Sequence, residues 1–177
     1  SANMYGMGGL NKKACEHCKR PSCINPEICT NLDTNHSKLL EIYRAVDALP
    51  QVKKSFIGSG VRYDLILHHS KDEKTNHAAM EYARELITKH VSGRLKVAPE
   101  HCSDTVLKMM RKPSWGNYLR FRDLFLRINK ETGLNQQLIP YFISSHPGCT
   151  RNDMKMLAEE TKRMHYRPEQ VQDFTPT

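Results

Sequence analysis

The sequence predicts an α/β protein in which parallel strands are joined by helices. From residue 37 onward, stretches with apolar residues at every third or fourth position alternate with short apolar runs that end in Gly, Pro or His, as amphipathic helices and buried strands do. Strands separated by helices need crossover connections, so we expect a parallel sheet covered by helices. Four such strands would form either an open doubly wound sheet or a partial βα-barrel, with function at the carboxyl strand ends.

The first half of this pattern contains two helices and one strand. "SKLLEIYRAVDALP" has apolar residues at helical spacing, with Ser37 as the expected N-cap. "VKKSFIGSG" is typical of a strand that runs into a glycine turn. "DEKTNHAAMEYARELITKHVSG" is a predicted helix: Ser70 just before it and Glu73 fit a capping box, and Gly93 lies just past the predicted helix end.

The second half adds three strands and three helices. "RLKVAPEH" is a predicted strand halted at Pro99, followed by a short helix in "SDTVLKMMRK". "WGNYLRFRDLFLRINKETG" is a longer amphipathic helix that Gly133 terminates. "QLIPYFISSHPG" is the next strand, Thr150 and Asp153 begin the helix "TRNDMKMLAEETKRMHY", and "EQVQDFTPT" is the last strand.

The composition is that of an ordinary soluble globular protein. The 177 residues are 38% hydrophobic and 26% charged, with a net charge of +8. The charge permits a nucleic-acid partner, but Lys and Arg are interspersed with acids, which favours a solvated surface. No apolar run reaches the ~18 residues of a membrane span. The start resembles no signal peptide, so we expect a reducing, cytoplasmic location.

Four of the six cysteines fall within "CEHCKRPSCINPEIC". Clustered thiols in a reducing compartment favour metal binding, and a short loop can bring four thiolates to Zn²⁺ or to an iron–sulfur cluster. We therefore predict a cysteine-rich metal-binding segment over residues 1–36, followed by the α/β domain over residues 37–177. The predicted metal ligands are Cys15, Cys18, Cys23 and Cys29. His17 and His36 are spare candidates for ligands, although lone loop histidines are usually solvated.

Other uses of the cysteine segment stay open. The thiols could remain unligated or form redox disulfides. A zinc knuckle that binds RNA would interleave basic and aromatic residues. Four basic residues surround the cysteines, but Tyr5 is the only aromatic residue near them, so nucleic acid is not the favoured partner.

Several motifs resemble those of radical S-adenosylmethionine enzymes. "KVAPEHCSDTVLKMMRKPSWGNY" is similar to the second half of that superfamily's barrel, "YFISSHPGCT" to the following strand and turn, and "QVQDFTPT" to its last core strand. Together with "NMYGMGG", "CKRPSC" and "FIGSGVRYD", these motifs resemble the uncharacterised YgiQ-type family. The resemblance implies a partial βα-barrel, the second half of the complete one.

The chain departs from the superfamily by having no CxxxCxxC segment, whose three thiolates hold the catalytic [4Fe–4S] cluster. The resemblance therefore implies that this chain is the later part of a longer enzyme. Its first expected partner is the remaining N-terminal half of that same enzyme. That enzyme would cleave S-adenosylmethionine to a 5′-deoxyadenosyl radical and act on an unknown substrate. We expect the chain alone to be inactive, with no catalytic residue of its own and an exposed sheet edge.

The resemblance also implies which residues face the cofactor. Glu100, with His101 beside it, would accept the ribose hydroxyls, and the turn after the next strand would pack against adenine. The last strand would offer backbone groups to the adenine edge. The residues implied for these two regions are Ser144, His146, Gly148, Phe174 and Thr175. Arg62 and Asp64 also lie at a predicted strand end, where Arg62 could bind the cofactor's carboxylate; the alternative is a mutual ion pair.

Overall fold

The computed structural model describes residues 2–166, 168 and 171–175. A short 3₁₀-helix, Ala2–Met4, begins this part of the chain. The α-helices and strands follow in an order that alternates only after the fourth helix. They are α1 (Lys12–Glu16), α2 (Ser37–Asp47), α3 (Tyr63–Ile66), α4 (Glu73–Lys89), β1 (Arg94–Glu100), α5 (Asp104–Met109), α6 (Trp115–Thr132), β2 (Gln137–Ser144), α7 (Arg151–Arg163) and β3 (Val171–Asp173).

The three strands form one parallel sheet in the order β1-β2-β3, which confirms an α/β fold with helical crossovers. This small sheet is not closed. The pairing register shifts between Val97 and Glu100. Pro99 lies inside this interval and has no N–H to donate, so it interrupts the ladder of hydrogen bonds. The strand nevertheless continues to Glu100 rather than stopping at Pro99.

The core helices lie against one face of the sheet. Leu95 and Val97 of β1 are buried in one cluster with residues of α4 and α6, whereas the alternate residues Lys96 and Ala98 are exposed. Leu157 of α7 packs near Phe142 of β2 in a second cluster, which shares Trp115 with the first. The largest fully buried side chains of α4 and α6 are Tyr82, Leu86, Ile87, Phe121 and Phe125.

The predicted first strand is wrong. The described segment 52–60 forms no strand, although it runs against β1: a Cβ added at Gly60 would lie 3.3 Å from the carbonyl oxygen of Lys96. The N–H of Ile57 donates to the carbonyl of His90 at 2.9 Å instead of to a neighbouring strand. Lys, Ser and Gly residues dominate this segment, and they have little tendency to form strands. The short helix α3 follows it, where the sequence predicted only a turn.

Two predicted helix caps are also wrong. His36, not Ser37, is the N-cap of α2, and Ser37 is its first helical residue. Asp72 caps α4 by accepting hydrogen bonds from the first-turn amides, so the expected capping box of Ser70 and Glu73 does not form. Asp72 is the better cap because its carboxylate lies directly before the helix and carries a charge that favours the helix N-terminus.

Two other helix ends are confirmed. Gly133 ends α6 with a φ of +67°, a conformation in which glycine is unstrained. Thr150 and Asp153 form the reciprocal hydrogen bonds of a capping box at the start of α7.

No helix in the described part of the chain is long and apolar enough to cross a lipid bilayer. The remaining residues of the predicted last strand, 169–170 and 176–177, lie outside the described residues.

Candidate functional site

The carboxyl ends of β2 and β3 lie together at one edge of the sheet, which we call the rim. The N–H of Phe174 donates to the carbonyl of Ser144 at 2.9 Å, and the Ser144 hydroxyl donates to the carboxylate of Asp173. The ring of His146 meets Phe174 edge-on, with centroids 4.8 Å apart. The structure thus brings three of the predicted residues together and adds Asp173, which the sequence analysis did not select.

Gly148 and Thr175 border this group. A Cβ added at Gly148 would lie 2.2 Å from the side chain of Met109 on α5. Close packing against α5 therefore gives one physical reason for the glycine, independent of any ligand. Thr175 is exposed and directly follows Phe174.

Glu100 ends β1 with an unusual backbone and an incompletely paired carboxylate. Its φ is +69°, which is uncommon for a residue with a side chain. The residue is only 7% exposed. Oε1 accepts from the Lys112 ammonium group at 2.8 Å, while Oε2 is buried without a hydrogen-bond partner among the described residues. A buried carboxylate oxygen with no donor is costly, so this atom indicates where a hydroxyl or another donor would be stabilised.

His101 is fully buried and turns away from the solvent. Its Nδ1 accepts from the N–H of Ser103 at 2.9 Å, which places the proton of the neutral ring on Nε2. Nε2 lies 3.6 Å from Sγ of Cys149. Burial lowers the pKa of His101, so its ring is neutral. Nearby, at the start of α7, hydrogen bonds from Ser103 and Thr150 lower the pKa of Asp153 to about 2. His101 therefore contacts the turn after β2 as a neutral hydrogen-bond donor.

Arg62 and Asp64 form the mutual ion pair that was the alternative prediction. Nε and Nη2 of Arg62 donate to the two carboxylate oxygens of Asp64, at 2.7 and 2.5 Å. Asp64 is buried and Arg62 half-buried, and the pairing raises the pKa of Arg62. Asn3, fully buried, accepts from the backbone N–H of Arg62 at 2.7 Å and donates to its carbonyl at 2.8 Å.

Two adjoining cavities lie beside these residues. The inner cavity, about 290 Å³, lies between segment 59–64 and Ala98 of β1. The outer cavity, about 510 Å³, is lined by residues 24–28 on one side and by residues of α3, α6 and their flanking loops on the other. Asp64, Lys112 and Pro113 border both cavities. Lys112, which borders both cavities, also pairs with Glu100 at the end of β1.

The four clustered cysteines line one further space, the cysteine cavity, of about 700 Å³. All four are free thiols. Within the described residues, no three His, Cys, Asp or Glu side chains already lie close enough together to hold one metal ion. The four-cysteine metal site stays a prediction: the four cysteines line one cavity, but among the described residues they are not gathered round one point.

The spare ligand His36 lies in the core, not in solvent. It is 1% exposed and stacks on Tyr82, with ring centroids 4.7 Å apart. Its Nε2 lies 3.4 Å from the Asn3 amide nitrogen, and burial lowers its pKa to about 4. The expectation of a solvated histidine was wrong because the segment before α2 folds over α4. His17, by contrast, is exposed.

Similarity to known proteins extends over the full length of this chain. It is 64% identical to a UPF0313 protein of Bacteroides thetaiotaomicron and 58% identical to one of Porphyromonas gingivalis, over all 177 residues. A UPF0313 protein of Pseudomonas aeruginosa is 48% identical over the same length. No family model matches the chain, and no solved structure matches it.

The relatives are much longer than this chain. The matched region makes up 28% of the Bacteroides and Porphyromonas proteins and 22% of the Pseudomonas protein. The chain therefore spans about a quarter of the length of the curated relatives that it matches. It is similar to one continuous part of larger UPF0313 proteins.

Proposed function

We propose that this chain is the later part of the βα-barrel of a larger radical S-adenosylmethionine enzyme, and that its rim faces the nucleoside of the cofactor. The parallel sheet supports this proposal because its core helices lie on one face, with Lys96 and Ala98 exposed on the other. A barrel has helices on its outer face only, whereas a doubly wound sheet carries them on both. The length of the relatives leaves room for the rest of such a barrel.

The observation that carries the proposal is the unpaired carboxylate oxygen of Glu100. The positive φ of Glu100 is a strained backbone conformation, and such strain is concentrated at functional sites. Lys112 neutralises one oxygen and leaves the other without a donor. A ribose diol supplies hydroxyl donors that would satisfy it. The resemblance of "KVAPEH" to the superfamily's ribose-binding strand end points to the same residue.

The rim residues also have chemistry that suits a nucleoside. His146 and Phe174 present adjoining aromatic rings, and purines stack favourably on such rings. Ser144 and Thr175 flank them with hydroxyl groups. We propose that these residues and the Gly148 turn contact adenine, that His101 positions the turn through Cys149, and that the Arg62–Asp64 pair lies towards the methionine end of the cofactor.

In the proposed enzyme, the cluster and cofactor would supply the radical that removes a hydrogen atom from the substrate, and this chain's residues would bind and orient the cofactor. The chain has no CxxxCxxC segment to hold that cluster. The test is to reconstitute the full-length protein anaerobically with iron and sulfide, add reductant and S-adenosylmethionine, and measure 5′-deoxyadenosine. We expect product from the full-length protein and none from the 177-residue chain. No product from the full-length protein would refute the activity.

Replacing Glu100 by Gln tests the ribose contact itself. We expect Glu100→Gln to weaken S-adenosylmethionine binding by the full-length protein at least about tenfold, because a charge-assisted hydrogen bond contributes about 1.5–3 kcal/mol. Isothermal titration calorimetry measures the dissociation constant. The matched control is Glu159→Gln, at an exposed position of α7, which should bind as the wild type does. Equal affinities for all three proteins would contradict the assignment of Glu100.

A further inference from the structure

The cysteine cavity brings together sulfur atoms from two segments. Cys15 belongs to α1 and Cys18 follows it, whereas Cys23 and Cys29 bracket the next loop. The N–H of Cys29 donates to the carbonyl of Cys23 at 2.8 Å and closes that loop. The rest of the lining is largely small or apolar and includes Met4, Met7, Ala14, Ile24 and Leu32. Four thiols in such surroundings match the donors that zinc and iron–sulfur clusters take.

The contacts around Cys15 fix the position of its sulfur atom. The side-chain amide of Asn31 donates to Sγ at 3.1 Å, and such N–H donors stabilise the charge of a metal-bound thiolate. Asn31 is itself fixed by two hydrogen bonds with the backbone of Asn11, at 2.8 and 3.0 Å. A Cβ added at Gly9 would lie 2.3 Å from Sγ of Cys15. Only glycine at this position leaves the sulfur where it is.

The loop between Cys23 and Cys29 borders the outer cavity as well as the cysteine cavity. Residues 24–28 line the outer cavity together with Lys112 and Pro113, and Ile24 borders both this cavity and the cysteine cavity. One short loop therefore separates the thiols from the space that adjoins Glu100 through Lys112. Movement of either bracketing cysteine changes this lining.

We propose that Cys15, Cys18, Cys23 and Cys29 bind a thiolate-ligated metal centre, Zn²⁺ or an iron–sulfur cluster, and that binding fixes the wall of the outer cavity. Each sulfur must come within about 2.3 Å of a metal atom. The thiols do not yet converge on one point, so binding draws Cys23 and Cys29 inward and reshapes the loop between them. The proposal stands independently of S-adenosylmethionine chemistry.

Metal content tests the site. The full-length protein is purified anaerobically, and zinc, iron and sulfide are counted for the wild type, Cys18→Ser/Cys23→Ser and Cys102→Ser. We expect the double variant to lose about one zinc, or about four irons with their sulfide, relative to the wild type. Cys102 is buried outside the cluster, so its variant should lose none. Equal metal content in the wild type and the double variant would overturn the proposal.

Gly9 gives a variant that keeps every cysteine. We expect Gly9→Ala to lower metal retention at least tenfold in a competition with a chelator, because the new methyl group displaces Cys15 Sγ. Gly8→Ala is the matched control, since nothing lies within 4 Å of a Cβ added at Gly8. The same retention in both variants would show that the sulfur position at Cys15 is not needed, and the proposed ligand set would fail.

Hydrogen exchange tests the effect on the outer cavity. Amide exchange of the wild-type full-length protein with its metal bound is compared with that of Cys18→Ser/Cys23→Ser, because a chelator would also remove the proposed catalytic cluster. We expect exchange in peptides covering residues 24–28 and the facing residues 112–117 to be at least tenfold faster without metal, while peptides of α4 are unchanged. Bound metal without any difference in residues 112–117 would overturn the coupling to the cavity. Because no step uses 5′-deoxyadenosine, this result is separate from the proposed activity.

Discussion

We expect Asn3→Ala to lower the free energy of unfolding by about 3 kcal/mol, because a buried backbone donor or acceptor left without a partner costs roughly 1–3 kcal/mol. Asn3 is fully buried and bonds to both the N–H and the carbonyl of Arg62. Alanine removes both partners at once. Without these hydrogen bonds, the N-terminal segment that leads to the cysteine cavity is also no longer held against the core. Urea denaturation of the 177-residue chain measures the change.

The control for Asn3 is Asn135→Ala, at an exposed position after α6. This substitution should change the free energy of unfolding by less than about 0.5 kcal/mol, as is usual for surface positions. Asn3→Asp loses the donor to the carbonyl of Arg62 and also buries a carboxylate, so we expect a loss at least as large as that of Asn3→Ala. An unchanged denaturation midpoint for Asn3→Ala would show that water replaces the asparagine without cost.

Five of the helices (α2, α4, α5, α6 and α7) and all three strands of the sheet could be predicted from local pattern, whereas α1 and α3 could not. Gly133 and the capping box of Thr150 and Asp153 mark helix ends in the sequence as they do in the structure. The strand prediction for segment 52–60 failed. Its apolar residues were too few to decide between strand and coil, and its course beside β1 depends on contacts with residues far away in the sequence.

The candidate site was only partly accessible from the sequence. Strand-end positions predicted which residues would gather at the rim, because parallel strands end at the same edge. No local pattern indicates that Lys112 pairs with Glu100, or that Asn3 holds the backbone of Arg62, since these partners are 12 and 59 residues apart. The Arg62–Asp64 pair was predictable as an alternative because its members are only two positions apart in the sequence.

We expect His36 to lower the free energy of unfolding in acid, which is the second large effect. Its pKa is about 4 in the folded protein because burial disfavours the charged ring, against an ordinary value of 6.5. Between these two values the unfolded chain binds more protons than the folded one, so lowering the pH favours unfolding. The full effect is about 3 kcal/mol at 1.36 kcal/mol for each pKa unit. It is absent above pH 6.5 and complete below pH 4.

Two variants isolate this contribution from that of the other titrating groups. His36→Gln keeps an acceptor near the Asn3 amide but cannot bind a proton, so its stability should fall less steeply than that of the wild type between pH 7 and pH 4. His77→Gln, at an exposed position of α4, should follow the wild type throughout. Urea denaturation midpoints at several pH values give the slopes. A charged imidazole would also face the donating amide of Asn3, so acid should break the Asn3–His36 contact. Parallel slopes for His36→Gln and the wild type would refute the contribution of His36.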